Sequence, residues 1–173
     1  MKYLTSRLCL KSLDESGEIS GYASVFGVTD GYGDVVVNGA FQSVVADFAA
    51  GKRRPKLLWQ HDTCLPIGLI EEIFEDEYGL FVKGRLLLEI PRAREAYLLL
   101  KNQAIDGFSI GYKIKNNYFK DGKQYLTNIE LLEVSIVTFP ACGEAMVNAV
   151  KSEENSLHKI REMSQKIRRK ING

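Results

Sequence analysis

The chain has 173 residues, of which 45% are hydrophobic and 26% charged, with a formal net charge of +1. This length and composition predict one soluble domain with a short appendage and exclude a membrane span, since no apolar run approaches ~20 residues. Residues 1–13 lack the pattern of a signal peptide, so a cytoplasmic protein is expected. The three cysteines, Cys9, Cys64 and Cys142, lack metal-ligand spacing. We therefore expect no disulfide framework, metal or cofactor, and buried or half-buried thiols.

The first half of the chain mostly alternates polar and apolar residues, as half-buried strands do. Residues 3–13 and 18–26 are predicted to form a strand pair joined by a turn at residues 14–17. Residues 40–50 change to helical spacing, and Gly51 is expected to end that helix. The predicted strands of this half cover residues 3–13, 18–26, 35–37, 56–60, 67–74 and 80–88.

The second half begins with a helix, which Pro91 and a stripe of Ala93, Ala96, Tyr97 and Leu100 indicate. Strands are then predicted at residues 108–115, 117–126 and 130–139, with a turn at residues 121–122. About eight or nine strands with two helices predict a mainly β domain. Mostly antiparallel strands at this spacing favour a closed or nearly closed barrel, which leaves few unpaired edges.

The end of the chain differs from the rest in charge. Residues 151–173 contain seven basic and three acidic groups, a net charge of +4, which leaves −3 for the remaining chain. An amphipathic helix is predicted here, with one stripe formed by Leu157, Ile160, Met163, Ile167 and Ile171. This basic tail is predicted either to pack on its own domain or to dock on a partner.

Three residues offer the chemistry of acyl transfer, which needs a nucleophile, a base and an acid that orients the base. Ser109 lies in a glycine-rich segment that is predicted to be a turn before a strand, His61 ends a strand-like run, and Glu133 is the one acid in an apolar run. Each also has an ordinary explanation, as a turn serine, a surface imidazole or a solvent-facing carboxylate. Cys64, three residues after His61, is a weaker candidate nucleophile. The Gly-x-Ser-x-Gly spacing does not indicate an α/β-hydrolase, because here a helix precedes the serine and a strand follows it.

Several colinear blocks across residues 8–150 resemble the tailed-phage prohead (capsid maturation) protease family. The blocks are Gly21-Tyr22-Ala23-Ser24-Val25-Phe26, Gly31-Tyr32-Gly33-Asp34-Val35-Val36 with Asn38-Gly39-Ala40-Phe41, Leu58-Trp59-Gln60-His61-Asp62 with Pro66-Ile67-Gly68, Gly79-Leu80-Phe81-Val82-Lys83-Gly84, Phe108-Ser109-Ile110-Gly111-Tyr112 and Leu132-Glu133-Val134-Ser135-Ile136-Val137-Thr138-Phe139-Pro140-Ala141.

The resemblance implies a fold like that of the herpesvirus assemblins, a mostly antiparallel β-barrel with flanking helices. Residues 1–150 would form the protease domain and residues 151–173 the tail. His61, Ser109 and Glu133 fall on the catalytic positions of the family, with Glu133 where the herpesvirus enzymes have a second histidine. Backbone amides of Ile110 or Gly111 are the candidate oxyanion donors, since residues 141–145 contain no arginine.

The implied function is that of a serine endopeptidase acting inside assembling proheads in the host bacterial cytoplasm. Its substrates would be scaffold protein, or the scaffold-like segment of the major capsid protein, and the protease itself. The family also implies a homodimer, and we expect no cofactor, no membrane partner and no specific nucleic acid. Two alternatives remain, a catalytically inactive scaffold-binding assembly protein on the same fold and an unrelated ligand-binding barrel.

Overall fold

The computed structural model describes residues 2–7, 12–13 and 15–138, which belong to one compact unit. The tail predicted for residues 151–173 lies outside the described residues, as do Cys9 and Cys142. Among the helices that are described, none is long and apolar enough to cross a membrane.

The described segments contain nine strands and two helices. In chain order they are β1 (Lys2–Arg7), β2 (Ser12–Leu13), β3 (Glu18–Val25), β4 (Asp34–Val36), α1 (Gln42–Ala49), β5 (Lys56–Trp59), β6 (Asp62–Glu75), β7 (Gly79–Leu86), α2 (Pro91–Lys101), β8 (Gly107–Lys120) and β9 (Lys123–Val137). The predictions of a mainly β chain, of both helices and of a turn at residues 121–122 are confirmed.

All nine strands belong to one sheet, in the order β1-β8-β9-β5-β6-β7-β3-β2, with β4 also paired to β9. Strands β4 and β5 run parallel to β9, while the other described pairings are antiparallel. Strand β1, at one end of this order, also contacts β3 near the other end, so the sheet curls strongly. The sheet is therefore a mixed half-barrel in which two pairings are parallel, whereas the sequence predicted a mostly antiparallel barrel. Polar and apolar residues alternate with the same period in parallel and antiparallel strands, so the alternation cannot reveal this difference.

The strand predicted over residues 3–13 is divided between two partners. Strand β1 pairs with β8, and only the short β2 pairs with β3 as expected. Conversely, the strands predicted at residues 108–139 merge into one long hairpin, β8–β9. The expected breaks near residues 116 and 127 are register shifts in a continuous ladder, because a bulge inserts one residue without ending a strand.

The helices cover the sheet through the faces that the sequence indicated. Ala93, Ala96, Tyr97 and Leu100 of α2 are buried, which confirms the predicted stripe. Helix α1 is more superficial, and its apolar side chains are only partly buried against the core. The core combines side chains of α2 with apolar side chains of the sheet, and on β8 and β9 the core residues alternate with the buried polar residues Ser109, Glu133 and Ser135.

Helix α1 begins without a side-chain cap of its own, and Glu75 of β6 supplies one. The Phe41 N–H donates to Oε1 of Glu75 at 2.8 Å. Burial of this carboxyl raises its pKa above the ordinary value of 4.5. The cap thus depends on a carboxylate that is partly removed from water.

We expect Glu75→Ala to lower the free energy of unfolding by about 1 kcal/mol, because the cap is lost. Glu75→Gln keeps an acceptor oxygen but removes the titration. Because the pKa of Glu75 is higher in the folded than in the unfolded chain, protonation of this carboxyl stabilises the folded chain. This stabilisation is complete below pH 4.5 and is lost as the pH rises through the folded-state pKa. Urea unfolding between about pH 4 and pH 7 should show wild type losing stability relative to Glu75→Gln. A pH-independent difference between the two would contradict this assignment.

Candidate active site

His61 occupies a two-residue hairpin turn between β5 and β6. Trp59 pairs with Asp62, which leaves Gln60 and His61 as the central turn residues, with φ angles of 51° and 61°. Positive φ at both positions is typical of a type I′ turn, where asparagine and glycine are preferred. Two larger side chains in this conformation carry backbone strain, of the kind that clusters at functional sites.

Strand β9 and Thr138, the residue that follows it, hold this turn in place through four hydrogen bonds, of which the Thr138 N–H donates one to Gln60 Oε1 at 3.4 Å. The Gln60 N–H donates to the Ile136 carbonyl oxygen at 3.0 Å, and the His61 N–H donates to Ser135 Oγ at 3.1 Å. The Gln60 side-chain amide donates to Oγ1 of Thr138 at 2.7 Å. These contacts fix the position from which the imidazole projects.

The imidazole of His61 meets the carboxylate of Glu133. His61 Nδ1 lies 2.7 Å from Glu133 Oε1, and Ser135 Oγ donates to Glu133 Oε2 at 2.6 Å. The Glu133 side chain is only 3% exposed and that of His61 19%, so Glu133 is not the solvent-facing carboxylate of its ordinary explanation. When Nδ1–H donates a hydrogen bond to the Glu133 carboxylate, this tautomer leaves a lone pair on Nε2 for use as a base.

Ser109 lies on the neighbouring strand of the same part of the sheet. It is fully buried and pairs directly with Ser135 in the antiparallel β8–β9 ladder. Residues directly opposite in such a ladder project from the same face, with Cβ atoms about 4.5–5.5 Å apart. Ser135 in turn bonds Glu133 and the His61 backbone, so Ser109, Glu133 and the His61 turn share this face.

The surroundings of Ser109 differ from the predicted glycine-rich turn. Strand β8 already begins at Gly107, so Ser109 lies within a strand that is flanked by β1 and β9. Because the hydroxyl is buried, a peptide carbonyl reaches it only after the atoms that cover it move. The candidate oxyanion donors Ile110 and Gly111 are also paired on both sides, and their N–H groups point toward neighbouring strands.

Cys64 is exposed on β6, so the prediction of a buried or half-buried thiol is wrong for this residue. Its backbone N–H donates to the Asp62 carboxylate at 2.8 Å. Asp62 thus caps the start of β6, just after the His61 turn.

Sequence reasoning missed two residues that build this site. Ser135 is two residues from Glu133 in a strand-like run, which places both on one face, but this spacing does not show that Ser135 bonds the carboxylate. Its second role, as acceptor for the His61 N–H, depends on β5 lying beside β9. Gln60 gave no signal beyond its position next to His61.

A polar cavity of about 360 Å³ lies farther along β9, beside Glu130. Lys115 and Arg53 both pair with Glu130, and these partners lower the pKa of its carboxyl to about 2. Lys52 and Asp47, which also line this cavity, pair with each other at 3.8 Å, so its charged groups are engaged in ion pairs.

Comparisons with known proteins agree on one family. The family model described as caudovirus prohead serine protease matches residues 6–160. The chain is 33% identical over 142 residues to the prohead protease of Enterobacteria phage HK97, covering 80% of this chain and 62% of that protein. It is 29% identical over 152 residues to the prohead protease of Escherichia phage T5, covering 83% and 70%. The chain therefore spans somewhat less than two thirds of the HK97 relative.

Two further proteins extend the comparison. The chain is 34% identical over 120 residues to a capsid polyprotein of Pseudomonas phage PAJU2, covering 64% of this chain and 18% of that one. The structure of the bacteriophage T4 capsid assembly protease superposes with a TM-score of 0.59 at 12% identity, covering 80% of this chain and 97% of that one. At such low identity the superposition establishes a shared fold.

Proposed function

The chain belongs to the caudovirus prohead serine protease family, and from this premise we propose that it is a serine endopeptidase of prohead maturation. The observation that carries the proposal is the His61–Glu133 pair at 2.7 Å on the sheet face that Ser109 shares. A serine is activated by an imidazole that a carboxylate orients, and this part of the sheet carries all three groups.

In this proposal His61 Nε2 takes the proton of Ser109 Oγ as that oxygen attacks the peptide carbonyl carbon. The tetrahedral intermediate collapses when His61 gives the proton to the leaving amine, which breaks the C–N bond and leaves an acyl-enzyme. Water then repeats the sequence, with His61 again as base, and releases the acid and free Ser109. Glu133 holds Nδ1–H throughout and stabilises the imidazolium.

Oxyanion stabilisation by the Ile110 or Gly111 amide is the remaining catalytic element of the proposal. Because β8 is paired on both sides here, such an amide becomes available only if a neighbouring strand yields. Consecutive N–H groups of β8 point alternately to β1 and to β9, so movement of the end strand β1 would free one of these two amides.

Ser135 is proposed as a positioning residue, since its hydroxyl joins the carboxylate to the histidine turn. Ser135→Ala should reduce kcat about tenfold, because a hydrogen bond to a charged group is lost. With one donor fewer, Glu133 attracts the imidazole proton more strongly, so the ascending limb of the pH–rate profile should move to higher pH.

Ser135→Thr is the matched variant, as it keeps the hydroxyl and should restore both the rate and the pH profile. A purely structural role for Ser135 would lower the yield of folded protein without moving the ascending limb. An unchanged limb in Ser135→Ala would therefore argue against the positioning role.

The proposed substrates are scaffold protein or the scaffold-like segment of the major capsid protein, and the protease itself, inside proheads in the host bacterial cytoplasm. Residues 1–150 would form the protease domain, on an assemblin-type fold, and residues 151–173 a tail helix. We further propose a homodimer, for which the exposed Leu98 and Leu99 of α2 are available on the described surface.

The deciding experiment is intact-mass analysis of the major capsid protein of the same phage, co-expressed with wild-type protease or with Ser109→Ala. A truncated capsid protein with wild type alone would support the nucleophile and would also locate the cleaved bond. Full-length capsid protein in both cases, with proheads assembled, would favour the inactive scaffold-binding alternative.

A further inference from the structure

The outer part of the β8–β9 hairpin forms an exposed arm, which we define as residues 113–130. A two-residue turn at Asp121 and Gly122 closes it, with φ angles of 51° and 74°. Pairing with β1 ends at Tyr112, so the outer side of β8 beyond that point is unpaired among the described strands. The arm thus has one open edge, along β8, while residues 124–126 of β9 pair with β4.

Aromatic side chains lie exposed near the end of the arm. Tyr118 is 46% exposed and Phe119 73% exposed. The rings of Tyr118 and Tyr125 stack across the two strands, with centroids 4.9 Å apart and planes 3° from parallel. Large apolar groups held rigidly at a surface are typical of protein-binding sites.

One face of the hairpin runs without a break from Ser109 to the arm. The opposite face carries buried core residues, among them Ile110, Leu126, Ile129 and Val134. At each bulge one extra residue is inserted, so the residues beyond it stay on the same face as before. From the nucleophile outward, the cross-strand pairs on the shared face are Ser109–Ser135, Lys113–Glu130, Tyr118–Tyr125 and Lys120–Lys123. Nine residues separate Ser109 from Tyr118, which is about 30 Å along the strand.

The arm carries a net charge of +2, from four lysines against Glu130 and Asp121, and Asp121 forms no ion pair with a described residue. Lys115 pairs with Glu130, but Lys113, Lys120 and Lys123 form no ion pair with any residue in the described part of the chain. Lys120 and Lys123 lie directly opposite each other, and like charges in that position are unfavourable. A carboxylate placed between them would relieve this repulsion.

We propose that the arm is a docking surface for an acidic stretch of the protein substrate in which carboxylates alternate with apolar side chains. The proposal rests on the proposed function, since the substrate is the chain that Ser109 cleaves. The carboxylates would lie against Lys120 and Lys123 and the apolar groups against Tyr118. An extended substrate of about nine residues bridges the arm and the nucleophile along one face, which favours a substrate over an unrelated ligand.

The test compares two substrates of the same enzyme. Lys120→Glu with Lys123→Glu should lower kcat/KM for the full-length capsid protein about tenfold, because the charges on the arm now repel the carboxylates. The same variant should cleave a peptide of about six residues around the cleaved bond as wild type does, since such a peptide spans only about 20 Å. Arg54→Glu after α1 with Lys83→Glu on β7 makes the same change in net charge outside β8, β9 and α2, and should affect neither substrate.

Each result has a defined meaning. Equal loss of both substrates, or no loss of either, in the arm variant would overturn the docking surface. If a labelled single-stranded oligonucleotide binds wild type but not the arm variant while capsid cleavage is unchanged, the arm is a nucleic-acid site and the proposal is wrong. If wild type cleaves neither substrate, the proposed function itself fails.

Discussion

Replacement of Ser109 with alanine is expected to lower the rate of capsid-protein cleavage by about 10⁶-fold. The serine Oγ is the only atom of this residue that can attack a carbonyl, and His61 cannot substitute for it. Because Ser109 is fully buried and alanine is slightly smaller, the free energy of unfolding should change by only about 1 kcal/mol. Cleavage is measured by intact mass and stability by urea unfolding.

Ser24 provides the matched control for this substitution. It is also a fully buried serine of the same sheet, on β3, and its Oγ has no hydrogen-bond partner among the described residues. Ser24→Ala should therefore leave cleavage at the wild-type rate. Cleavage by Ser109→Ala at a rate near that of Ser24→Ala would exclude Ser109 as the nucleophile.

Replacement of Glu133 with glutamine is expected to lower kcat by about 10⁴-fold while the chain stays folded. In the wild-type protein the Glu133 carboxylate accepts two hydrogen bonds, from His61 Nδ1 and from Ser135 Oγ. A glutamine amide has one acceptor oxygen, so its NH₂ group must face one of these partners. If the NH₂ group faces Nδ1, the imidazole proton moves to Nε2 and the base is lost.

Glu72→Gln on β6 is the control for Glu133→Gln, because the same chemical change is made at an exposed glutamate. Its activity should equal that of wild type. The loss of kcat is measured with the short peptide of about six residues, because this substrate does not reach the arm. A loss of less than about tenfold in Glu133→Gln would show that Glu133 does not orient the base.

Local signals in the sequence predicted several elements well. Helix α2 was predicted from its N-terminal proline and its apolar stripe. Both signals lie within about three turns of helix, so a short stretch of sequence contains all the information that the prediction needs. The turn at Asp121 and Gly122 is likewise local. The division of residues 2–13 between β8 and β3 was not predictable, because partner choice depends on strands far away in the chain.

The candidate site divides in the same way. Composition and spacing left Ser109, His61 and Glu133 each with an ordinary explanation, and only the colinear blocks joined them. The strained turn at Gln60 and His61 gave no signal, because neither residue type is favoured at positive φ. Its geometry is imposed by hydrogen bonds from β9.

The sequence by itself therefore determined the mainly β character, the two helices, the family and the three residue types that a serine protease needs. Only the tertiary structure decided that His61 and Glu133, 72 residues apart in the chain, meet at 2.7 Å in a nearly buried pair. The physical reason is that helix and strand periodicities report neighbours within a few residues. The parallel pairing of β5 with β9 and the antiparallel pairing of β8 with β9 are long-range contacts, and they exist only after the sheet has formed.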